Sequence, residues 1–503
     1  MPGNEGRPID LIVAGGHVLT LDAAAPEFKQ GSVAIDGTRI VGVGDCAKIK
    51  TQFQARETLD ATGTAVLPGL IDAYAHAGHG MVRGIFHPNG SGPGHLYFTA
   101  TTPDWWRADA ELSALERLKA GVTTGQSIIG GTPARADHPI FADVTAQAYA
   151  EAGLRLVLGI GPPDPIFPHL AEPFSATQLV SGALVSHGFN TDDTLRHSAD
   201  VIKKWHGAVG GRVRAALAVP YLFGRHVKHR RINNRVPEAS DAPVIFNHAR
   251  QMLELAQDLG VMIHTHMFRG SVEFMLRHFG DAEVDSLLKS NHLVVAHANG
   301  LAAEEVRVLG QHGVGIATVA NTHENIWYGV APIPALRDAG CAIAITTDGA
   351  AAYTSYDLWK EPARTAWNQW NAQESQASMP PETLLGMMTI EAAQVLGMAH
   401  EVGSLEVGKR ADVICVDLHK PHVGPVHDLA QTLVFYSSSA DVRDVIVDGK
   451  VLLRNGKVLR VDEGSVLDKA RREAESMLEA HELSVRRSDP WARPTNWPKV
   501  IAV

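Results

Sequence analysis

The stretch Val66-Leu-Pro-Gly-Leu-Ile-Asp-Ala-Tyr-Ala-His76 carries the strongest indication of the architecture of this chain. Its apolar first half is typical of a buried strand, and polar residues follow where the strand runs out into a loop. Residues two apart on a strand face the same side. Tyr74 and His76 are therefore predicted to point into one site at the carboxyl end of this strand.

The middle of the 503-residue chain alternates strand candidates with helical patterns. The strand candidates are residues 66–72, 122–129, 155–160, 212–219, 261–266, 292–297, 315–320 and 342–347. Strands separated by helices pair in parallel, and eight such units close into a barrel. The predicted fold class is α/β, a (β/α)8 TIM barrel, with a small β-sandwich formed by the two ends of the chain.

Both ends of the chain have the texture of short β segments broken by glycine and aspartate. At the start, hairpin turns are predicted at Ala14-Gly-Gly and at Asp36-Gly; after residue 400 a third is predicted at Asp448-Gly. Neither end can bury a face alone. We predict a composite β-sandwich from residues 1–62 and 400–460, a barrel over 63–399, and a C-terminal helix and tail over 461–503 that pack on the barrel.

Composition excludes several classes of protein. A formal net charge of -10 gives no basic surface for nucleic acid, and no apolar run approaches the roughly 18 residues of a membrane span. The three cysteines, Cys46, Cys341 and Cys415, are far apart, which favours reduced thiols. Polar residues follow Met1 without an apolar signal segment. We expect a cytoplasmic homo-oligomer that acts on a small molecule, with no membrane or nucleic-acid partner.

Side chains of the types that bind metals fall at the ends of the predicted barrel strands. They are His76, His264, His266, His297 and Asp348. For each residue alone, a packed or solvated role is the commoner explanation in a chain with 25 histidines. Active sites of barrels lie at the carboxyl ends of the strands, so the joint placement indicates a site.

With these residues in place, the first stretch resembles the Pro-Gly-x-Ile-Asp-x-His-x-His signature of the amidohydrolase superfamily, in the branch of cytosine deaminases and chlorohydrolases. Arg83-Gly84 and residues 403–412 also resemble the family. The resemblance implies a metal-dependent hydrolase in which His76, His266 and Asp348 are ligands. Branches of the family that bind two metal ions have a carbamylated lysine on the fourth barrel strand. Strand 212–219 has no lysine, so the resemblance implies one divalent ion per subunit, zinc before iron, manganese or cobalt.

The same resemblance implies roles for the other strand-end residues. A metal-bound water is the expected nucleophile, because coordination lowers its pKa toward about 7. Asp348 resembles the carboxylate that carries the proton of this water to the leaving group, and His297 resembles the histidine that positions the water or the attacked group. His264 faces the same side as His266 and is a candidate for orienting it or for binding substrate.

Tyr74 stands where the family has a histidine. It has three interpretations: a phenolate ligand, a hydroxyl beside the metal that donates to the substrate or the water, or loss of the metal. We favour the second. Members of the superfamily that hydrolyse phenylurea and thiocarbamate compounds also depart from histidine here, which supports a working enzyme.

A second departure from the family pattern is Arg269, in His266-Met-Phe-Arg269. This stretch resembles the His-x-x-Glu motif of deaminases that act on amino-heterocycles, with arginine in place of glutamate. A guanidinium group cannot act as a general acid near neutral pH, but it can hold a carbonyl or carboxylate oxygen. We therefore predict hydrolysis of an amide, urea or carbamate on an aromatic or heterocyclic small molecule, with Arg269 in a catalytic role. The alternatives are an amino-heterocycle deaminase and a metal-poor barrel that binds a ligand without turning it over.

Aromatic and loop residues complete the predicted site. Trp105, Trp327 and Tyr328 are candidates for stacking on a flat substrate, although Trp105 could equally pack the first barrel helix. His79 is a further candidate for substrate binding, or a replacement ligand if its loop turns back, although a solvated loop histidine is the commoner outcome. The basic loop 221–235 could meet an anionic group, but a solvated face or a face against another subunit is the commoner outcome for such a run.

Overall fold

The computed structural model describes residues 6–84, 101–129, 135–163, 173–180, 183–226, 236–289, 293–320, 329–350 and 354–480. Within these residues, no helix is both long enough and apolar enough to cross a lipid bilayer.

The strands divide between two large sheets and a hairpin. In chain order they are β1 Arg7–Leu19, β2 Glu27–Asp36, β3 Arg39–Asp45, β4 Phe53–Asp60, β5 Thr64–Pro68, β6 Leu70–Asp72, β7 Val122–Ile128, β8 Arg155–Ile160, β9 Phe174–Val180, β10 Ala183–Phe189, β11 Val213–Ala218, β12 Ile263–Phe268, β13 Leu293–Asn299, β14 Gly315–Thr318, β15 Ile343–Ile345, β16 Val413–Asp417, β17 Val442–Val447, β18 Lys450–Arg454 and β19 Lys457–Val458.

The helices lie mostly between the strands of the barrel. They are α1 Cys46–Gln52, α2 Pro103–Lys119, α3 Ile140–Ala152, α4 Thr191–Trp205, α5 Ala242–Leu259, α6 Ser271–Phe279, α7 Asp281–Leu288, α8 Ala303–Gln311, α9 Ile333–Asp338, α10 Glu361–Gln373, α11 Pro381–Met387, α12 Ile390–Val395, α13 Leu429–Phe435 and α14 Glu463–Ala480.

The predicted barrel is confirmed. Eight parallel strands follow one another in the order β6, β7, β8, β11, β12, β13, β14 and β15. A parallel bridge between Ala75 and Asp348 joins the two ends of the sheet, and the amide of Asp348 donates to the carbonyl of Tyr74 at 3.0 Å. The antiparallel hairpin of β9 and β10, after the third barrel strand, is an element that the sequence did not indicate.

Asp72 ties the first barrel strand to the last. Its fully buried carboxylate accepts hydrogen bonds from the amide of Thr347 at 3.0 Å and from the Thr347 hydroxyl at 2.7 Å. The equally buried Arg117 guanidinium lies 3.1 Å away and also donates to the carbonyl of Gln126 on β7. One side chain thus fixes the strand ends from which Tyr74, His76 and Asp348 emerge.

The predicted strand over residues 66–72 is two strands in two different sheets. β5 pairs with β1 and β16, whereas β6 pairs with β7. The chain changes sheet at Pro68-Gly69, where proline has no amide hydrogen to continue a ladder. Glycine is needed next, because a Cβ at Gly69 would lie 2.1 Å from the Thr123 hydroxyl oxygen.

The two ends of the chain pair with each other as predicted, and their described strands form one nine-stranded mixed sheet, while the finer arrangement as a β-sandwich stays a prediction. Asp36-Gly37 and Asp448-Gly449 form the expected hairpin turns. The turn predicted at Ala14-Gly-Gly is wrong, because β1 continues through it with two register shifts. These irregularities let β1 pair along its length with β2, while its first half pairs with β4 and its second half with β5.

Contacts between the terminal sheet and the barrel centre on one buried arginine. Arg155, at the start of β8, donates to Asp412 at 3.1 Å and to Asp448 at 2.9 Å. Helix α14 packs against α2 of the barrel, and Lys119 pairs with Glu463 at 2.6 Å. These contacts show that the described part of the C-terminal helix packs on the barrel. The exact domain boundaries stay predictions.

We expect Asp72→Asn to reduce the free energy of unfolding by about 3 kcal/mol, because it leaves Arg117 buried beside a neutral amide. Chemical denaturation followed by tryptophan fluorescence measures the change. The control is Asp36→Asn, whose largely exposed pair with Arg7 should contribute less than about 1 kcal/mol. Equal losses in the two variants would show that the buried pair does not hold the barrel closed.

Candidate active site

Most of the predicted site residues converge at the carboxyl end of the barrel. The hydroxyl oxygen of Tyr74 lies 2.5 Å from Nε2 of His266 and 3.3 Å from Nε2 of His76. Nε2 of His76 lies 3.3 Å from a carboxylate oxygen of Asp348. His297 stacks on His266, with ring centroids 5.0 Å apart. Four barrel strands therefore supply one compact cluster of polar side chains.

The backbone is strained at two of these residues. His297 and Asp348 adopt positive φ angles of 73° and 58°, and Ala298 follows with 56°. Residues other than glycine rarely occupy this left-handed region, and such strain concentrates at functional sites. At His297 and Ala298, it accompanies the register shift between β12 and β13, and at Asp348 it lies just beyond β15.

A continuous stack of rings orients the two central imidazoles. Tyr221, His266, His297 and Phe268 follow one another with centroid separations of 5.0, 5.0 and 5.2 Å. Nδ1 of His266 lies 2.6 Å from the carbonyl oxygen of Pro220. Because a carbonyl only accepts, this nitrogen must donate, so the Nε2 lone pair of His266 faces the Tyr74 hydroxyl.

Burial keeps His266 and His297 neutral, whereas the carboxylate of Asp348 stays charged in spite of its burial. Burial lowers the pKa of His297 to about 4 and holds the pKa of His266 well below its ordinary value, where His297 and His76 lower it further. Burial alone would raise the pKa of Asp348. The hydrogen bond from His76 and the positive potential of His297 outweigh it and hold that pKa well below its usual range. Near neutral pH, the neutral imidazoles of His266 and His297 thus lie close to an ionised carboxylate.

His79 belongs to the cluster, so the interpretation as a solvated loop histidine is wrong. Its ring stacks on His76 at 5.1 Å, and a Cβ at Gly349 would lie 1.9 Å from its Nδ1. Buried Asp109 holds this loop by accepting the amides of Gly78 at 2.7 Å and Met81 at 3.2 Å. Burial lowers the pKa of His79 to about 3, and the neighbouring His76 lowers it too.

Two predicted substrate contacts have packing roles instead. Nδ1 of His264 accepts from the side-chain amide of Gln126 at 2.6 Å, and its Nε2 lies 3.1 Å from the sulfur of Met262, so both ring nitrogens are engaged within the barrel. Trp105, on α2, is buried in the hydrophobic core, and its ring meets that of Trp106 edge-on with centroids 5.5 Å apart. Both residues have partners that a sequence pattern does not reveal.

The remaining predictions have different outcomes. The side chain of Arg269 is exposed, and none of its described contacts reaches the histidines, so its catalytic role stays a prediction. Trp327 and Tyr328 lie outside the described residues.

Sequence reasoning missed Arg225, which it placed in a solvated loop. The residue is only 8% exposed, and its guanidinium carbon lies 4.9 Å from the ring centroid of Tyr221. Its positive charge contributes to the lowered pKa of His297. A turn in which the amide of Gly224 donates to the carbonyl of Tyr221 brings the chain back over the ring stack. The available signal was position, since Tyr221 follows β11 just as the histidines follow their strands.

The donors do not form a complete metal site as they stand. In the part of the chain that the structure describes, no three His, Cys, Asp or Glu side chains are arranged to hold a metal ion. The 3.3 Å between His76 and Asp348 is about the spacing of two ligands on a tetrahedral zinc ion, whose bonds are about 2.0–2.1 Å long. His266, however, is hydrogen-bonded to Tyr74. The ligand roles of His76, His266 and Asp348 therefore stay predictions.

Comparisons with known proteins agree with this architecture. The sequence profile of the amidohydrolase family matches residues 65–452. The chain is 29% identical over 484 residues to a 5-methylthioadenosine/S-adenosylhomocysteine deaminase of Desulforudis audaxviator, covering 93% of this chain and 99% of the relative. It is 27% identical over 481 residues to a 5'-deoxyadenosine deaminase of Methanosarcina mazei, covering 93% and 98%.

Solved structures share the fold. A zinc-bound adenosine deaminase from Xanthomonas campestris superposes with a TM-score of 0.77 at 21% identity, over 94% of this chain and 100% of the other. An atrazine chlorohydrolase from Arthrobacter aurescens in complex with zinc superposes with a TM-score of 0.71 at 22% identity, over 92% and 100%.

We expect His264 to make the fold sensitive to acid. Burial lowers its pKa to about 3, whereas the unfolded chain takes up a proton below about 6.5. The stability from this group is complete above pH 6.5 and is lost as the pH falls toward 3. With a chelator present, the fall in Tm between pH 7 and pH 4.5 should be about 2–4 °C smaller in His264→Gln than in the natural chain.

The control for this experiment is His400→Gln. The side chain of His400 is exposed, so its removal should leave the acid sensitivity unchanged. If His264→Gln loses as much stability in acid as the natural chain, another group accounts for the effect.

Proposed function

Since this chain belongs to the amidohydrolase family, we propose that it removes an amino group from a nitrogen heterocycle by hydrolysis. The observation that carries the proposal is similarity to deaminases of adenine nucleosides over 93% of the chain. This deaminase was the alternative prediction from the sequence, and these relatives support it better than an amide, urea or carbamate.

The cluster can supply the proton transfers of such a reaction. Asp348 is ionised near neutral pH, so it can accept a hydrogen bond from an attacking water and orient its lone pair toward the substrate. The proton then passes through this carboxylate to the leaving nitrogen, which is the stronger base. His297 is neutral and lies one ring from His266, where it can contact the attacked carbon's substituents.

One divalent ion per subunit stays part of the prediction, with zinc before iron, manganese or cobalt. When bound, such an ion lowers the pKa of a water molecule and polarises the attacked group. The hydrogen bond between Tyr74 and His266 does not fit a complete ligand set, so none of the steps above is assigned to an ion. A homo-oligomer in the cytoplasm likewise stays a prediction.

One observation favours a second candidate, hydrolysis of an amide, urea or carbamate on an aromatic or heterocyclic group. Arg269 occupies the position at which deaminases of the family have a glutamate that protonates a ring nitrogen. Arginine cannot supply that proton near neutral pH. A substrate whose ring needs no protonation would not require it.

Product analysis separates the two candidates. The purified enzyme, assayed with and without added Zn²⁺, should release ammonia from 5'-deoxyadenosine, 5'-methylthioadenosine or an aminotriazine. It should release no aniline from acetanilide or phenylurea. Asp348→Asn should slow the reaction by about 100-fold or more, because it removes the proton carrier. Aniline without ammonia would replace the proposal with the second candidate, and binding without turnover of either set would favour a ligand-binding barrel.

We further propose that Arg225 binds the substrate. Its guanidinium is buried beside Tyr221, at one end of the ring stack that contains His266 and His297. A planar guanidinium in a buried site donates well to a ring nitrogen, a carbonyl or an anionic group.

Arg225→Met should raise KM by about 10- to 100-fold with a smaller change in kcat, as expected for loss of a hydrogen bond to a charged donor. Arg225→Lys keeps the charge without the planar fork and should recover only part of the loss. The matched control is Arg269→Met, whose exposed side chain should have little effect on KM. The reverse order of effects would restore Arg269 as the substrate-binding arginine.

A further inference from the structure

We propose that the Tyr74 hydroxyl competes with a divalent ion for the same imidazole lone pair, so that Tyr74 sets how weakly this barrel binds metal. This role differs from all three interpretations of Tyr74 that the sequence suggests. It concerns the affinity of the resting site and does not depend on which bond the enzyme cleaves.

His266 has only one lone pair to offer. Its Nδ1 is committed to donating to the carbonyl of Pro220 at 2.6 Å. Its Nε2 is 2.5 Å from the Tyr74 hydroxyl, which must donate to it. An ion that binds His266 has to take this same nitrogen, because the ring is fixed in place by stacking between Tyr221 and His297. Ion binding and the hydrogen bond from Tyr74 therefore exclude each other.

Tyr74 cannot easily move out of the way. Its side chain is 1% exposed, and it meets the rings of His76, His266 and His297 edge-on, with centroids 5.4, 5.6 and 5.8 Å away. Its backbone is held as well, because its carbonyl accepts the amide of Asp348 across the closure of the barrel. Swinging the phenol away would displace at least one imidazole, so an incoming ion must break the hydrogen bond in place.

The other two predicted ligands have a spacing that suits a bound ion. His76 and Asp348 already stand 3.3 Å apart, a spacing that suits two ligands of one tetrahedral ion. Within the described part of the site, the obstacle at the His266 nitrogen is thus a single oxygen atom. Removing that atom while keeping the ring should expose the His266 nitrogen without disturbing the stack.

The test compares the zinc affinity of the natural chain with that of Tyr74→Phe, by competition with a chromophoric chelator on protein first stripped of metal. We expect Tyr74→Phe to bind Zn²⁺ about 5- to 10-fold more tightly, the equivalent of one hydrogen bond that no longer has to be broken. Tyr74→His should bind more tightly still, because it adds a nitrogen ligand. Thr145→Val, which removes a buried hydroxyl outside the cluster, should leave the affinity unchanged.

Thermal unfolding gives a second readout that does not need turnover. Metal-free Tyr74→Phe should have a lower Tm than the natural chain because it has lost a buried hydrogen bond, and its Tm should rise more on adding zinc. Weaker zinc binding by Tyr74→Phe would overturn the proposal and make the phenol oxygen a ligand. In that case, zinc should also generate the ultraviolet absorbance of tyrosinate in the natural chain. Equal affinities in the two proteins would overturn it too.

Discussion

The structure depends on one buried carboxylate. Asp72 accepts hydrogen bonds from both the amide and the hydroxyl of Thr347 and pairs with Arg117, so it joins the first barrel strand to the last. The two strands that meet here have only three residues each, and a single bridge pairs the chain beyond them. Two such short strands have few ladder hydrogen bonds of their own. Tyr74, His76 and Asp348 follow within four residues of this link.

The site is a set of interlocking constraints on a few ring nitrogens. Pro220 takes one nitrogen of His266 and thereby directs the other toward Tyr74. Stacking fixes the plane of each imidazole, and positive φ angles at His297 and Asp348 shape the chain near the ends of β13 and β15. Because each contact limits the freedom of the next, the Tyr74 hydroxyl is held close to the Nε2 atoms of His266 and His76.

Burial sets the charges with which this cluster operates. Removing several imidazoles from water disfavours their protonated forms, while the carboxylate of Asp348 stays ionised because imidazoles surround it. The result is a pocket of neutral hydrogen-bonding groups around one negative charge. Arg225 adds a buried positive charge at the edge of the ring stack, which gives the site opposite charges at two separated points.

The sequence by itself determined the eight-strand barrel and the convergence of His76, His266, His297 and Asp348, because strand periodicity is local and parallel strands bring their carboxyl ends to one edge. Only the tertiary structure decided the partners of each side chain. His79 and Arg225 reach the cluster through loops whose paths depend on contacts distant in sequence, such as the amides held by Asp109. The sequence placed Tyr74 beside His76 in the site. Its hydrogen bond to the lone pair of His266 follows from three-dimensional packing, which no local pattern encodes.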